Sequence, residues 1–261
     1  MCTQNKPIRA MLFDFDGTIS TLRCGWESVM KPLMLEMISG SHPVTPALEK
    51  EVEEYIDAST GIQTIHQMKW LAEAVHAKGL NPAAPNDPWW YKGEYNRRLM
   101  VRISERLALL DAGKVTADRY LMAGSVGFLK NLREKGVRIY VASGTDHPDV
   151  VREAQALGVY PYFTQISGAP LGSENCSKEK VIAQLMETEH LCGDDFAVCG
   201  DGRVEIRLGR EAGARTIGLA SNERARCGID ETKLRRLKDA GADYICGDFT
   251  GQDRLLEYLG L

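Results

Sequence analysis

Two aspartates stand two residues apart, Asp14 and Asp16, where a short apolar run ends and Gly17 and Thr18 begin. The run IRAMLF at 8–13 reads as a strand buried on both faces, and a functional loop commonly follows such a strand. Ligands of open α/β sheets bind beyond the carboxyl ends of the strands. Two carboxylates placed there can approach one ligand without lying side by side. One can serve as a nucleophile held on a metal ion, the other as a general acid and base. Gly17 lets the chain turn away. The plain alternative is a loop with two solvated aspartates.

Three further groups have the same character. Ser143-Gly144-Thr145 follows the apolar stretch IYVA, and a hydroxyl with backbone N–H groups at a strand end can hold a phosphate oxygen. Ser-Gly is also an ordinary turn. Lys178, with Lys180 close by, stands at the start of a helical stretch, where an ammonium could neutralise a carboxylate nucleophile and an incoming phosphate. Surface lysines are common, so this signal is weak by itself. Gly200-Asp201-Gly202-Arg203-Val204-Glu205 follows the run FAVC, and Asp201 and Glu205 are four apart. A strand end and a helix start would then present two acids suited to a hard cation that keeps several waters. A capping residue and a favourable acid in a first helical turn explain the same pair. What favours the functional reading is the order. Each group falls at or just after a strand end, so all would open onto one edge of one sheet.

The elements that must position these residues follow a strand–helix rhythm. Strand candidates recur at 137–144, 196–201, 215–220 and 243–248, each preceded by a helical or polar stretch. Helices are expected over 124–136, 147–158, 177–191 and 204–214, several of them stopped by glycine, with Ser177 capping the third. This pattern predicts an α/β fold, a Rossmann-like three-layer core with a parallel sheet and helices on both faces. Residues 21–118 break the rhythm. Apolar residues at helical spacing mark four helices there, around Trp26–Ile38, Leu48–Ile56, Ile62–Val75 and Tyr95–Leu110, with a proline-rich loop at 81–88. Pro32 inside the first predicts a kink or a later start. The expected division is a core of 1–20 and 119–261 and an all-helical cap of 21–118.

The whole-chain properties set bounds. The 261 residues are 44% hydrophobic and 26% charged, globular proportions for one large domain or one domain with an insertion. A net charge of −4 lacks the basic footprint of a nucleic-acid binder. An anionic substrate stays possible because a bound cation reverses the local field. The N-terminal apolar stretch is too short for a signal peptide or a membrane span, so the expectation is a cytoplasmic protein without membrane contact, a monomer or homodimer. Seven scattered cysteines without a C-x-x-C pair read as free thiols in a reducing compartment, Cys199 and Cys246 as inert core thiols.

DFDGT, VASGT, the Lys178 helix and GDGRVE resemble the four ordered motifs of the haloacid dehalogenase (HAD-like) superfamily. The resemblance covers residues 8–20 and about 119–250. The helical insertion resembles the cap of the C1 subgroup, and the layout is similar to HAD-like proteins found beside or fused to sugar-metabolism enzymes. The resemblance implies a Mg2+-dependent phosphatase. Asp14 would take up the phosphoryl group, and Asp16 would act as acid and then base. Asp14, the Asp16 carbonyl and Asp201 would hold Mg2+, with Glu205 acting through water. Ser143 and the Gly144 N–H would bind phosphoryl oxygens, and Lys178 would stabilise charge. The last motif departs from the commoner pattern in ending on glutamate. Asp16 favours transfer from oxygen, since members lacking it do other chemistry. A cap would set the substrate by closing over the site, and a small phosphate ester such as a sugar phosphate is expected. Arg23 is a candidate substrate contact, and Trp26, Gln67, Lys69 and His147 are further rim candidates. Trp26 also reads as the first core residue of its helix, and Trp89 and Trp90 as anchors of the proline-rich loop. The competing functions are a phosphomutase using the same aspartyl phosphate, a non-catalytic phosphate-binding sensor, and a receiver domain, for which the chain is too long.

Overall fold

The computed structural model describes residues 6–174 and 178–261. The apolar run at 8–13 forms strand β1 (Ala10–Phe13), buried at every position. The chain then turns tightly, with the Gly17 N–H donating to the Ser20 carbonyl at 2.8 Å. Four helices follow, α1 (Glu27–Ser39), α2 (Pro46–Ala58), α3 (Thr64–Lys78) and α4 (Pro88–Asp111). The remainder alternates: α5 (Ser125–Glu134), β2 (Arg138–Asp146), α6 (His147–Ala156), β3 (Gln165–Ala169), α7 (Lys178–Thr188), β4 (Phe196–Gly200), α8 (Arg203–Glu211), β5 (Arg215–Leu219), α9 (Glu231–Asp239), β6 (Tyr244–Cys246) and α10 (Gln252–Leu259). The six strands form one parallel sheet in the order β3-β2-β1-β4-β5-β6. This is the expected α/β fold with a helical insertion after β1.

Both faces of the sheet are covered, which is why its strands read as continuous apolar runs rather than alternating ones. Side chains alternate faces along each strand. Met11 and Phe13 join Ile139 and Val141 in a cluster with Phe128, Val150 and Leu255 from α5, α6 and α10. Ala10 and Leu12 join Tyr140, Phe196 and Val198 in a second cluster with Ile182, Leu185 and Leu208 from α7 and α8. The first cluster runs on through Phe15, Ile19 and Leu22 into the inserted helices at Met30, Leu33, Tyr95 and Leu99.

Local chemistry sets the starts of the inserted helices. The Thr45 side chain accepts from the Leu48 N–H, Asp87 does the same for Trp89, and a proline follows each cap. Three expectations need correction. α1 runs through Pro32 without a later start, since packing of Val29, Met30, Leu33 and Met34 holds the turn around the lost N–H. Strand β3 was not anticipated, because Gln, Ser and Gly give it no apolar run; nor were α9 and α10. β2 continues through Asp146, so Ser143-Gly144-Thr145 lies within its last residues and not after it. The pairing of β2 with β3 slips between Ala142 and Asp146. Such irregularities re-aim side chains beside functional sites. Ser177, expected as a helix cap, and Cys2 and Cys176 lie outside the described residues.

Phe128 is fully buried, with its ring stacked on Phe249 at 5.2 Å and edge-on to Phe13 at 6.2 Å. Phe128→Ala is expected to lower unfolding stability by about 3–5 kcal/mol, read from the denaturant midpoint at unchanged slope.

Candidate active site

β1 lies between β2 and β4, where the strand order reverses direction. That is the crevice in which doubly wound sheets bind ligands. Phe13 pairs with Val141 on one side and Cys199 on the other. The next residue is Asp14, whose N–H donates to the Cys199 carbonyl at 2.8 Å. The register therefore brings the ends of three strands together, and with them Asp14, Ser143 and Asp201.

Asp14 is buried, and Lys178, the first residue of α7, donates to its Oδ1 at 2.7 Å. The same ammonium contacts Glu205 Oε1 from the first turn of α8. Lys178 is buried and faces inward, whereas Lys180 is exposed. Burial works against the charge of Lys178, but Asp14 and Glu205 hold its pKa above the ordinary range. Burial pushes the Asp14 carboxyl well above its usual range. Lys178 pulls it back, and the charges of Glu205 and Asp201 push it up further.

Asp16 Oδ2 accepts from the Thr145 hydroxyl at 2.8 Å and the Ser143 hydroxyl at 3.4 Å. The Ser143 Oγ in turn accepts from the Thr145 N–H at 3.1 Å. The other oxygen, Oδ1, is buried without a hydrogen bond, 3.9 Å from the Arg23 Nε. Gly17 needs its glycine: φ is +73°, and a Cβ there would stand 2.3 Å from Asp201 Oδ2. Gly144 is pressed by the inserted region, a Cβ there lying 2.7 Å from the Ile62 carbonyl.

These groups line a cavity of about 100 Å³. The sheet side supplies Asp14, Asp16, Ser143, Gly144, Lys178 and Asp201; Glu205 is buried behind Lys178. The inserted region supplies Thr60, Gly61 and Ile62 from the turn after α2, Gln67 from α3, and Lys92, Tyr95 and Asn96 from α4. Arg23 lines the cavity, but its charge is already matched. It donates to Glu153 at 2.6 Å and Asp149 at 3.4 Å, both on α6. Trp26 lines the cavity and also packs on the core. Gln67 is buried and donates to the Ser59 hydroxyl at 3.1 Å. Two rim candidates stand apart from the cavity: Lys69 pairs with Glu174, and His147 is exposed, its Nδ1 accepting from the Gly168 N–H at 3.4 Å. Trp89 lies under the Lys92 ammonium at 5.3 Å.

Several participants went unnoticed in the sequence. Lys92 pairs with Asp146 at 2.5 Å, and Asn96 donates to the same carboxylate at 3.1 Å. Lys233 from α9 pairs with Asp201 at 2.5 Å and Glu223 at 2.7 Å. No motif marks these residues. Only the hydroxyl of Thr145 had a signal, its place in VASGT.

Among the described residues no group of three or more His, Cys, Asp or Glu side chains forms a cage for a metal ion. Mg2+ needs none, since it keeps several waters and takes one or two carboxylates. Glu205 and Asp201 add negative charge around the buried Asp14 carboxyl, and an added cation would relieve it. The donor set fits.

The haloacid dehalogenase-like hydrolase family matches residues 8–213, most of the chain. The chain belongs to this hydrolase family. The family match takes in Asp14, Ser143, Lys178, Asp201 and Glu205 together. No curated protein matches the sequence. Among solved structures, the hydrolase is similar to a predicted phosphatase from Clostridium acetobutylicum, with 17% identity, TM-score 0.62, and 97% of this chain and 99% of that one covered. It is similar to beta-phosphoglucomutase from Clostridium difficile, with 13% identity, TM-score 0.64, and 96% and 97% covered. It is also similar to a predicted phosphoglycolate phosphatase from Haemophilus somnus 129pt, with 14% identity, TM-score 0.64, and 98% and 99% covered. At such identities these likenesses speak for the fold, inserted helices included. No helix among the described residues is long and apolar enough to cross a membrane.

Removing one partner of a buried ion pair leaves the other charge uncompensated. Lys178→Met strands Asp14 and Glu205, and it is expected to destabilise the hydrolase by about 3–5 kcal/mol, read by chemical denaturation at neutral pH.

Proposed function

We propose that this hydrolase is a Mg2+-dependent phosphatase that transfers the phosphoryl group of a small phosphate ester to Asp14 and then to water. The observation that carries this reading is the convergence at one rim of a buried aspartate, a lysine 2.7 Å away and a second aspartate with one buried, unbonded oxygen.

In the proposed reaction an Asp14 carboxylate oxygen attacks phosphorus. The bond from phosphorus to the leaving oxygen breaks, and Asp16 delivers a proton to that oxygen. Thr145 and Ser143 hold Asp16 by Oδ2, which leaves Oδ1 for the proton. Asp16 then takes a proton from water, whose oxygen attacks phosphorus and frees phosphate from Asp14. Ser143 and the Gly144 N–H bind phosphoryl oxygens, and Lys178 offsets the charge carried by Asp14 and the incoming group. Asp14, the Asp16 backbone carbonyl and Asp201 would hold Mg2+, with Glu205 supporting its water shell. When bound, the ion supplies electrostatic stabilisation of the phosphoryl charge.

We further propose that residues 1–20 and 119–261 form the core and 21–118 a cap that selects the substrate. Support comes from the cavity wall. Arg23, Gln67, Lys92 and Asn96 from the inserted region line the cavity opposite Asp14 and Asp16, so a bound ester would contact them, and a small ester such as a sugar phosphate is the proposed substrate.

Asp14→Asn is expected to abolish phosphate release in a screen of phosphorylated sugars and small acids while leaving the thermal unfolding profile cooperative; full activity would show that the nucleophile is elsewhere. Asp16→Asn is expected to lower steady-state turnover by about 100-fold or more, the usual worth of a positioned proton donor. Chelation of divalent cations should stop release reversibly. A strict need for a bisphosphate activator, with isomerised ester as product, would identify a phosphomutase.

A further inference from the structure

Behind Asp201 lies a second ammonium that the reaction just described does not use. Lys233 sits in the first turn of α9, whose start Asp230 fixes by accepting the Thr232 and Lys233 N–H groups at 2.9 Å each. Lys233 and the fully buried Leu237 are four apart, so they share the inward face of the helix. The lysine therefore points into the protein, where its ammonium donates three bonds. It meets Asp201 Oδ2 at 2.5 Å, Glu223 Oε1 at 2.7 Å and the Ser221 Oγ at 3.0 Å. Ser221 passes the connection on, donating to the Gly17 carbonyl at 2.6 Å. The same cluster abuts Gly17 directly, since a Cβ there would lie 2.3 Å from Asp201 Oδ2 and 3.2 Å from Glu223 Oε1.

Lys233 thus ties together two segments that must be in register for a shared cation: the end of β4, through Asp201, and the loop that carries Asp16 and Gly17. It engages only one oxygen of Asp201. We infer that Lys233 is a positioning residue for the cation site, holding Asp201 by Oδ2 so that Oδ1 is left to the ion, and anchoring the Asp16–Gly17 backbone through Ser221. This inference rests on the proposed Mg2+ site. It adds to it a residue outside the four motifs and a direction of effect. A lysine that acted by charge alone would instead compete with the cation for Asp201. The two roles give opposite signs when the ammonium is removed.

The test is calorimetric titration of the full chain with Mg2+ alone, in the wild type, Lys233→Met, Lys233→Arg and Ser221→Ala. Loss of groups that orient metal ligands typically weakens metal affinity by about 10- to 100-fold, and Lys233→Met is expected to show a loss of that size. Lys233→Arg should recover part of it, and Ser221→Ala should weaken binding less than Lys233→Met. If Lys233→Met binds Mg2+ as tightly as the wild type or more tightly, the positioning role is wrong and the lysine is a competitor or a bystander. Should Lys233→Met fail to fold, Ser221→Ala decides: unchanged Mg2+ affinity overturns the inference. If the wild type itself takes up no Mg2+, the proposed cation site falls, and this inference falls with it.

Discussion

Asp14 and Glu205 are carboxylates buried close together, with the ammonium of Lys178 between them. Buried like charges are tolerated only when something offsets them. Here the offset comes from one lysine for two acids, and nearby a second lysine, Lys233, is shared between Asp201 and Glu223. The rest of the local structure follows from that constraint. Lys178 must open α7 so that its side chain reaches across the end of the sheet. Glu205 must stand in the first turn of α8, nested against Gly200 and Gly202, where any side chain would collide with it: a Cβ at Gly202 would lie 2.5 Å from its Oε2. A cluster short of positive charge is poorly suited to a purely structural role and well suited to a cation and a phosphate ester.

The sheet provides the second half of the arrangement. Parallel strands point all their carboxyl ends one way, and the reversal of order at β1 leaves a crevice there. Because β1 is flanked by β2 and β4, acids and hydroxyls far apart in sequence come within hydrogen-bonding reach without unusual backbone, apart from the slip in β2 and the positive φ of Gly17. The inserted helices then close the crevice from above. Ion pairs such as Lys92 with Asp146 and Arg23 with Glu153 fasten α4 and the chain after β1 to the end of β2 and to α6. Their charges face one another, so much of the cavity wall on that side is electrically matched.

The legible parts of this structure are those in which local pattern and chemistry coincide. Asp14 and Asp201 each stand just past an apolar run, with Asp16 two residues on from the first, and a strand end announces itself in sequence. Four inserted helices were readable because their apolar residues recur at helical spacing over several turns. β3 was not, since an edge strand of five residues with Gln, Ser and Gly carries no such signal. Lys233, Glu223, Lys92 and Asn96 escaped notice for a different reason. Each lies in a charged helix or loop that looks like solvated surface, and its inward direction depends on tertiary packing. The choice between Lys178 and Lys180 belongs to the same class: two residues along a helix point to different sides, and only the docked position of α7 decides between them.

The proposed reaction forms a covalent bond between phosphorus and Asp14, and the most direct measurement looks for that bond. Wild-type enzyme mixed with a turned-over phosphate ester, quenched in acid within one turnover and reduced with borohydride, should yield a peptide in which residue 14 has become homoserine, identified by mass spectrometry. That modification is expected at residue 14 and at no other carboxylate. Phosphate release that proceeds with residue 14 unmodified, or with the label on Asp16 or Asp201, would contradict it.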